Sequence, residues 1–217
     1  MVKPAEGGGS GESRPRVGVL ALQGDFARHA AALEACGAHA VRVTRPEHLE
    51  GLEALVLPGG ESTTMLRLIE ANGLRAPLEA FLAVRPVLGT CAGVILLGRG
   101  GAGLPAPPFG VLDADVERNA WGRQIDSFSA PVEAPALGAP VEGVFIRAPR
   151  IRAAGAGVDP VARLAESGEV VGIRAGRVVG LCFHPELTDD LRFHRWFLEE
   201  VAGLGAPSAA PAQAEVA

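Results

Sequence analysis

The sequence predicts an α/β fold: a single doubly wound, mostly parallel sheet with helices on both faces and a small antiparallel extension. Three observations carry that expectation. Val17 to Leu22, Ala54 to Leu57 and Val87 with Leu88 are short apolar runs without polar alternation, as strands covered on both faces require. Helical stretches alternate with strands in the order strand, helix, strand, strand, helix, strand. After Leu97 the texture changes to a Gly/Pro-rich loop and then several short strands, which make the extension.

In chain order, Val17 to Leu22 is the first strand. Asp25 is an N-cap candidate for a helix carrying Phe26, Ala30 and Leu33 and closing at Gly37. Val41 to Thr44 is the second strand, ended by Pro46, and Ala54 to Leu57 the third. Pro58-Gly-Gly-Glu-Ser-Thr-Thr64 opens an amphipathic helix with Met65, Leu68 and Ile69 on one face, ending near Asn72-Gly73. Leu78 to Val84 is a further short helix, which delivers the chain to the strand of Val87 and Leu88. Gly98 to Pro108 reads as irregular loop. Phe109 to Glu117, Gly143 to Ile146, Val170 to Ile173 and Val178 to Phe183 read as strands, the last two joined through Ala175-Gly176 as a hairpin. Thr188 is the cap candidate for a final helix in which Phe193, Phe197 and Val201 recur every four residues.

The 217 residues suit one domain, spanning 16–203. Residues 1–15 hold Gly7-Gly-Gly-Ser-Gly11 and almost nothing apolar, so they read as a disordered tail; 204–217, rich in Ala and Pro, reads as a second tail. The formal charge of −5, the lack of a basic cluster and the absence of tyrosine argue against a nucleic-acid partner. Cys36, Cys91 and Cys182 are odd in number and widely spaced, which suggests neither a disulfide framework nor a structural zinc, and fits a reducing cytoplasm. The N-terminal stretch does not read as a signal peptide, and no apolar run approaches membrane-spanning length.

Three stretches carry chemistry. Gly89-Thr-Cys-Ala-Gly93 joins a strand to a helix through small residues, the mechanics of an elbow that presents a nucleophile, here Cys91. Free N–H groups at the following helix start favour a thiolate, and the Ala92 N–H is an oxyanion donor candidate. Taken alone, the same residues describe a small buried cysteine between packing glycines. Phe183-His-Pro-Glu186 ends a strand; in extended backbone residues two apart share a side, so Glu186 faces His184 and orients it as the third member of a triad does. An exposed His-Glu pair is the plain alternative. His29, His39, His48 and His194 read as solvent-facing or packed. Pro58-Gly-Gly-Glu-Ser62 follows a buried strand, and its paired glycines expose N–H groups, with Gly60 the second oxyanion donor. All three stretches lie at the carboxyl ends of strands, the ligand edge of a doubly wound sheet.

These residues together resemble the triad-type (class I) glutamine amidotransferases, whose fold is flavodoxin-like. Leu20-Ala-Leu-Gln-Gly24, Pro58 to Met65, Glu117-Arg-Asn119 with Gly122-Arg-Gln124, Val144 to Pro149 and Phe183 to Thr188 are similar to the glutaminase subunits of pyridoxal 5′-phosphate synthases, over about residues 16 to 203. The resemblance implies hydrolysis of L-glutamine to glutamate and ammonia, with ammonia passed to a separate synthase subunit, and neither cofactor nor metal. It implies Cys91 as nucleophile, His184 as general base and acid, Glu186 as the orienting carboxylate, and a substrate site of Gly60, Glu61, Ser62, Arg118, Ile146 and Arg147. Either Arg118 or Arg147 suits the substrate carboxylate. The N-terminal extension and Trp121, where a smaller aromatic is expected, depart from the pattern. Other readings are an amidotransferase or cysteine hydrolase of the same fold serving another pathway, and a catalytically silent docking or regulatory subunit.

Overall fold

The computed structural model describes residues 14–100, 102–118 and 127–205. Its elements are β1 (Arg16–Leu20), α1 (Phe26–Ala35), β2 (His39–Val43), β3 (Ala54–Leu57), α2 (Ser62–Ala71), α3 (Arg75–Leu82), β4 (Val87–Thr90), α4 (Ala92–Leu97), β5 (Ala114–Glu117), β6 (Ser127–Glu133), β7 (Val141–Ile146), β8 (Arg150–Ala154), β9 (Asp159–Leu164), β10 (Val170–Ala175), β11 (Val178–Leu181) and α5 (Arg192–Trp196).

Nine strands form one sheet in the order β2-β1-β3-β4-β11-β10-β9-β6-β7. From β2 to β11 every pairing is parallel, and from β11 to β7 every pairing is antiparallel. Strands β3, β4 and β11 are buried at every position, which is why they read as unbroken apolar runs. Helix α1 packs against α5 and α2 against α4, two separate groups that cover the sheet. The antiparallel half curls back on the parallel one: His184, just beyond β11, donates its N–H to the Val144 carbonyl of β7 at 2.9 Å, although β7 is the far edge strand. Strands β5 and β8 make a separate antiparallel pair.

Several elements differ locally from the sequence expectation. The run Phe109 to Glu117 is strand only from Ala114, and β6, β8 and β9 were not expected. Asp25 stands at the N-cap of α1 without a side-chain cap bond, and the buried face of that helix is His29, Ala32 and Leu33. Phe26 lies instead under the Arg42 guanidinium, 4.8 Å from its ring centre. In α2, Leu66 rather than Leu68 joins Met65 and Ile69 in the core. Thr188 does not cap the last helix; its hydroxyl accepts from Asp190 N, whose carboxylate in turn accepts from Arg192 N at 3.0 Å. That helix widens into a π turn over Phe197–Val201.

The fold reaches beyond the boundaries expected for its tails. The Pro15 carbonyl accepts from His39 N at 2.8 Å, Arg14 hydrogen-bonds the carbonyls of Gly37 and Ala38, and Leu204 N donates to Leu198 at 2.7 Å. The rest of the two expected tails, and the stretch containing Asn119, Trp121 and Gly122-Arg-Gln124, lie outside the described residues.

Candidate active site

Cys91 sits at the junction of β4 and α4 with φ 48° and ψ −105°, a strained conformation for a residue with a side chain. The strain is held by packing and hydrogen bonds on both sides. Cys91 N donates to the Leu181 carbonyl of β11 at 2.8 Å, and Val94 N donates to the Cys91 carbonyl at 3.2 Å. A Cβ on Gly93 would stand 2.0 Å from the Leu57 carbonyl oxygen, so the close seat of α4 on β3 needs a glycine there. Ala92 opens α4, and its N–H belongs to the first turn, where no intrahelical acceptor exists.

His184 and Glu186 do face each other, by a different local geometry from the one expected. Pro185–Leu187 is a 3₁₀ turn, not extended strand, and the turn folds the carboxylate back onto the ring. His184 Nδ1 is 2.7 Å from Glu186 Oε1, which leaves Nε2 as the ring nitrogen for the hydrogen bond to the Cys91 thiol. Both side chains are almost wholly buried. Burial alone would lower the His184 pKa, but the hydrogen bonds and charges of Cys91 and Glu186 raise it to about 10. Burial would likewise raise the pKa of Glu186, and the neighbouring His29 and His184 override it, holding the carboxyl well below the usual range. The ring turns its Cε1 edge to Gly59, where a Cβ would come within 2.2 Å of that atom.

These groups border a cavity of about 300 Å³, at the small end for ligand sites. Among its lining residues are Gly60, Glu61, Ser62, Cys91, Arg118, Ile146, Arg147 and His184. Of the residues expected at the site, Glu186 stands behind His184 and Ala92 behind Cys91, outside the lining. Glu61 caps α2: its carboxylate accepts from Thr63 N at 3.0 Å and from Thr64 N at 2.7 Å. Arg118 donates to the same carboxylate at 3.1 Å and to the Thr63 hydroxyl at 3.2 Å, which fixes its guanidinium on the cavity wall. Burial would raise the Glu61 pKa, but its hydrogen bonds to Thr64 and Thr63 together override it and bring it to about 2. Arg147, with φ 42°, is the other non-glycine residue in left-handed backbone among the described residues, and it follows Ile146, whose carbonyl lies 3.8 Å from the Cys91 sulfur.

Gln23, Gly24 and Asp25 also line the cavity and were not expected there from the sequence. Gln23 Oε1 accepts from Glu61 N at 3.1 Å, tying the end of β1 to the glycine stretch. Their signal was present in Leu20 to Gly24, a motif at a strand's carboxyl end. Of the histidines that read as solvent-facing or packed, His29 and His194 are wholly buried, behind Glu186. Among the described residues no cluster of His, Cys, Asp and Glu has the arrangement to hold a metal ion.

Residues 19–203 match the model of the SNO glutamine amidotransferase family. The pyridoxal 5′-phosphate synthase subunit PdxT of Geobacillus kaustophilus is 51% identical over 187 residues, 86% of this chain and 94% of that protein. The PdxT subunit of Pelotomaculum thermopropionicum is 52% identical over 192 residues, 88% of this chain and 97% of its own length. Among solved structures, a crystal structure of a glutamine amidotransferase superposes with a TM-score of 0.80 at 48% identity, covering 86% of this chain and 98% of that one.

Proposed function

This chain belongs to the SNO glutamine amidotransferase family, and on that premise we propose that Cys91, His184 and Glu186 are the triad with which it hydrolyses L-glutamine to L-glutamate and ammonia. It is the glutaminase subunit of a pyridoxal 5′-phosphate synthase, and it delivers the ammonia to the synthase subunit of that complex. The observation that carries the triad is the line of contacts from the Cys91 thiol through the His184 ring to Glu186, opening on a cavity lined by Glu61 and Arg118.

The chemistry follows from the charges. An imidazole that titrates at about 10 holds its proton at neutral pH, and its contacts with Cys91 and Glu186 favour that charge. The sulfur attacks the side-chain amide carbon of glutamine, forming an S–C bond, and the oxyanion is met by N–H groups of Ala92 and Gly60. His184 gives its proton to the amide nitrogen as the C–N bond breaks, and ammonia leaves a cysteinyl thioester. Water then loses a proton to His184 as it adds to the thioester; the C–S bond breaks, releasing glutamate and restoring the thiolate–imidazolium pair. Arg118, already fixed by Glu61, is the ligand for the substrate carboxylate, with Gly60, Ser62, Ile146 and Arg147 completing the walls. We place the protein in the cytoplasm, where its three free thiols stay reduced. Among the described residues no helix is long and apolar enough to cross a membrane.

The test is ammonia and glutamate release from glutamine with the synthase subunit present, for the wild type and Cys91→Ala. The wild type should turn over and the variant should not. Undiminished release by Cys91→Ala would remove the sulfur from the reaction.

A further inference from the structure

The mechanism leaves one buried cluster unused. Behind Glu186, two imidazoles have no exposed surface: His29 on α1 and His194 on α5. Buried ring nitrogens need partners, and three of these four find them in a line that ends on the triad. His29 Nε2 is 3.2 Å from Glu186 Oε2 and 3.1 Å from the Thr90 hydroxyl, and its Nδ1 is 3.0 Å from His194 Nε2. The Glu186 carboxylate therefore has an imidazole at each oxygen, His184 at Oε1 and His29 at Oε2. The His29 contact is made at ion-pair distance without full hydrogen-bond alignment, and among the described residues Oε2 has no other partner.

One arrangement of protons, assigned from the contacts, serves the whole line. His194 Nε2–H donates to His29 Nδ1, and the His29 Nε2–H is shared between Thr90 and Glu186. The remaining nitrogen, His194 Nδ1, has no partner among the described residues; in this arrangement it is a bare lone pair and not a stranded donor. Burial pushes the His194 pKa down to about 3, which keeps that ring neutral.

The terminal torsion of a glutamate is soft, so a carboxylate held at one oxygen can swing and carry its histidine with it. A second contact at the other oxygen removes that freedom. Thr90 directly precedes the nucleophile, so the same imidazole also ties the carboxylate to the elbow.

We propose that His29 is a positioning residue for glutamine hydrolysis: its Nε2, shared between Glu186 and Thr90, fixes the carboxylate that orients His184 against Cys91. The inference rests on the glutaminase reading, and its role is confined to the chemical step, not to glutamine binding.

The experiment measures kcat and KM for glutamine hydrolysis, with the synthase subunit present, for the wild type, His29→Leu, His29→Asn and His29→Gln, alongside their thermal midpoints. Leucine fills the space without a donor, asparagine places its amide nearer the Nδ1 position, and glutamine reaches the Nε2 position. Loss of a group that orients a reactive histidine should lower kcat by roughly tenfold to a hundredfold in the leucine and asparagine variants, with KM within about twofold. His29→Gln should keep kcat within about threefold of the wild type. Full kcat in a folded His29→Leu overturns the proposal, as do equal kcat losses in the two amide variants. If His29→Leu does not fold, the asparagine–glutamine comparison decides alone. An inactive wild type would overturn the glutaminase reading and this proposal with it, whereas an active wild type with an indifferent His29 sinks only the latter.

Discussion

At the residue scale, the site is a set of buried charges that stabilise one another. His184 titrates at about 10, against ~6.5 for an unperturbed imidazole, in spite of its burial. Because the value is raised, the charged ring favours the folded state; that contribution is complete below ~6.5 and is lost as pH rises through about 10. Cys91 supplies both a hydrogen bond and a charge to this shift, and burial opposes it. In Cys91→Ala the opposing effect gains weight, so the ring should titrate well below 10, with Glu186 still in place. NMR titration of the His184 ring in the wild type and the variant reads this directly. An unchanged midpoint would mean that the thiol is not the partner of the ring. The pairing of His184 with Glu186 was legible in the sequence, because any local geometry that brings residues two apart onto one side produces it. The depth of His29 was not legible: a histidine on an otherwise mixed helix face gives no sign of its burial until the chain that packs over it is known.

At the element scale, the parallel half was legible and much of the antiparallel half was not, for one physical reason. Strands β3, β4 and β11 are covered on both sides, so every position is apolar. Strand β6 alternates in burial but carries Pro131 and fully buries only Val132, and β8 has no fully buried residue, so neither reads as an apolar run of strand length. Pro131 is tolerated because β6 meets β9 only at Val132 and Glu133, leaving the proline where no bond to β9 is made through its nitrogen. The elbow shows how much two elements depend on close approach. Placing a methyl group on Gly93 would drive it to 2.0 Å from a backbone oxygen of β3, which cannot rotate aside. Gly93→Ala should therefore shift α4 outward, costing ~1–3 kcal/mol of stability, and displace the thiol with it. Denaturant melts together with glutaminase assays test both effects; a variant with native stability and native rate would show that the seat of α4 is not as tight as these distances require.

At the scale of the whole molecule, the cavity is assembled from six distant stretches that follow β1, β3, β4, β5, β7 and β11. Four of them leave the carboxyl ends of adjacent parallel strands, which is the part of the site that pattern alone can place. Of the other two, Arg118 follows β5, and Ile146 with Arg147 arrives because the antiparallel half curls back so that β7 meets His184; these residues were named from resemblance, and the route by which they reach the site appears only in three dimensions. The glycine stretch is likewise held from a distance. Gln23 takes the Glu61 N–H, and the Gly59 carbonyl packs so tightly on Gly24 that a Cβ there would lie 1.7 Å from its oxygen. In a trans peptide the Gly60 N–H points opposite to that carbonyl, so the direction of this proposed oxyanion donor is set by the loop after β1. A partner seated on that edge of the sheet and shifting Gln23 or Gly24 would change the donor without touching the triad. The chain alone should accordingly release ammonia slowly from glutamine, and the synthase subunit should raise kcat/KM by at least about tenfold, the lower range of what one oxyanion donor contributes. The increase should appear mainly in kcat, because the triad and the Arg118 wall are in place without the partner. An equal rate with and without the synthase subunit would mean that the cradle is already set for catalysis in the isolated chain.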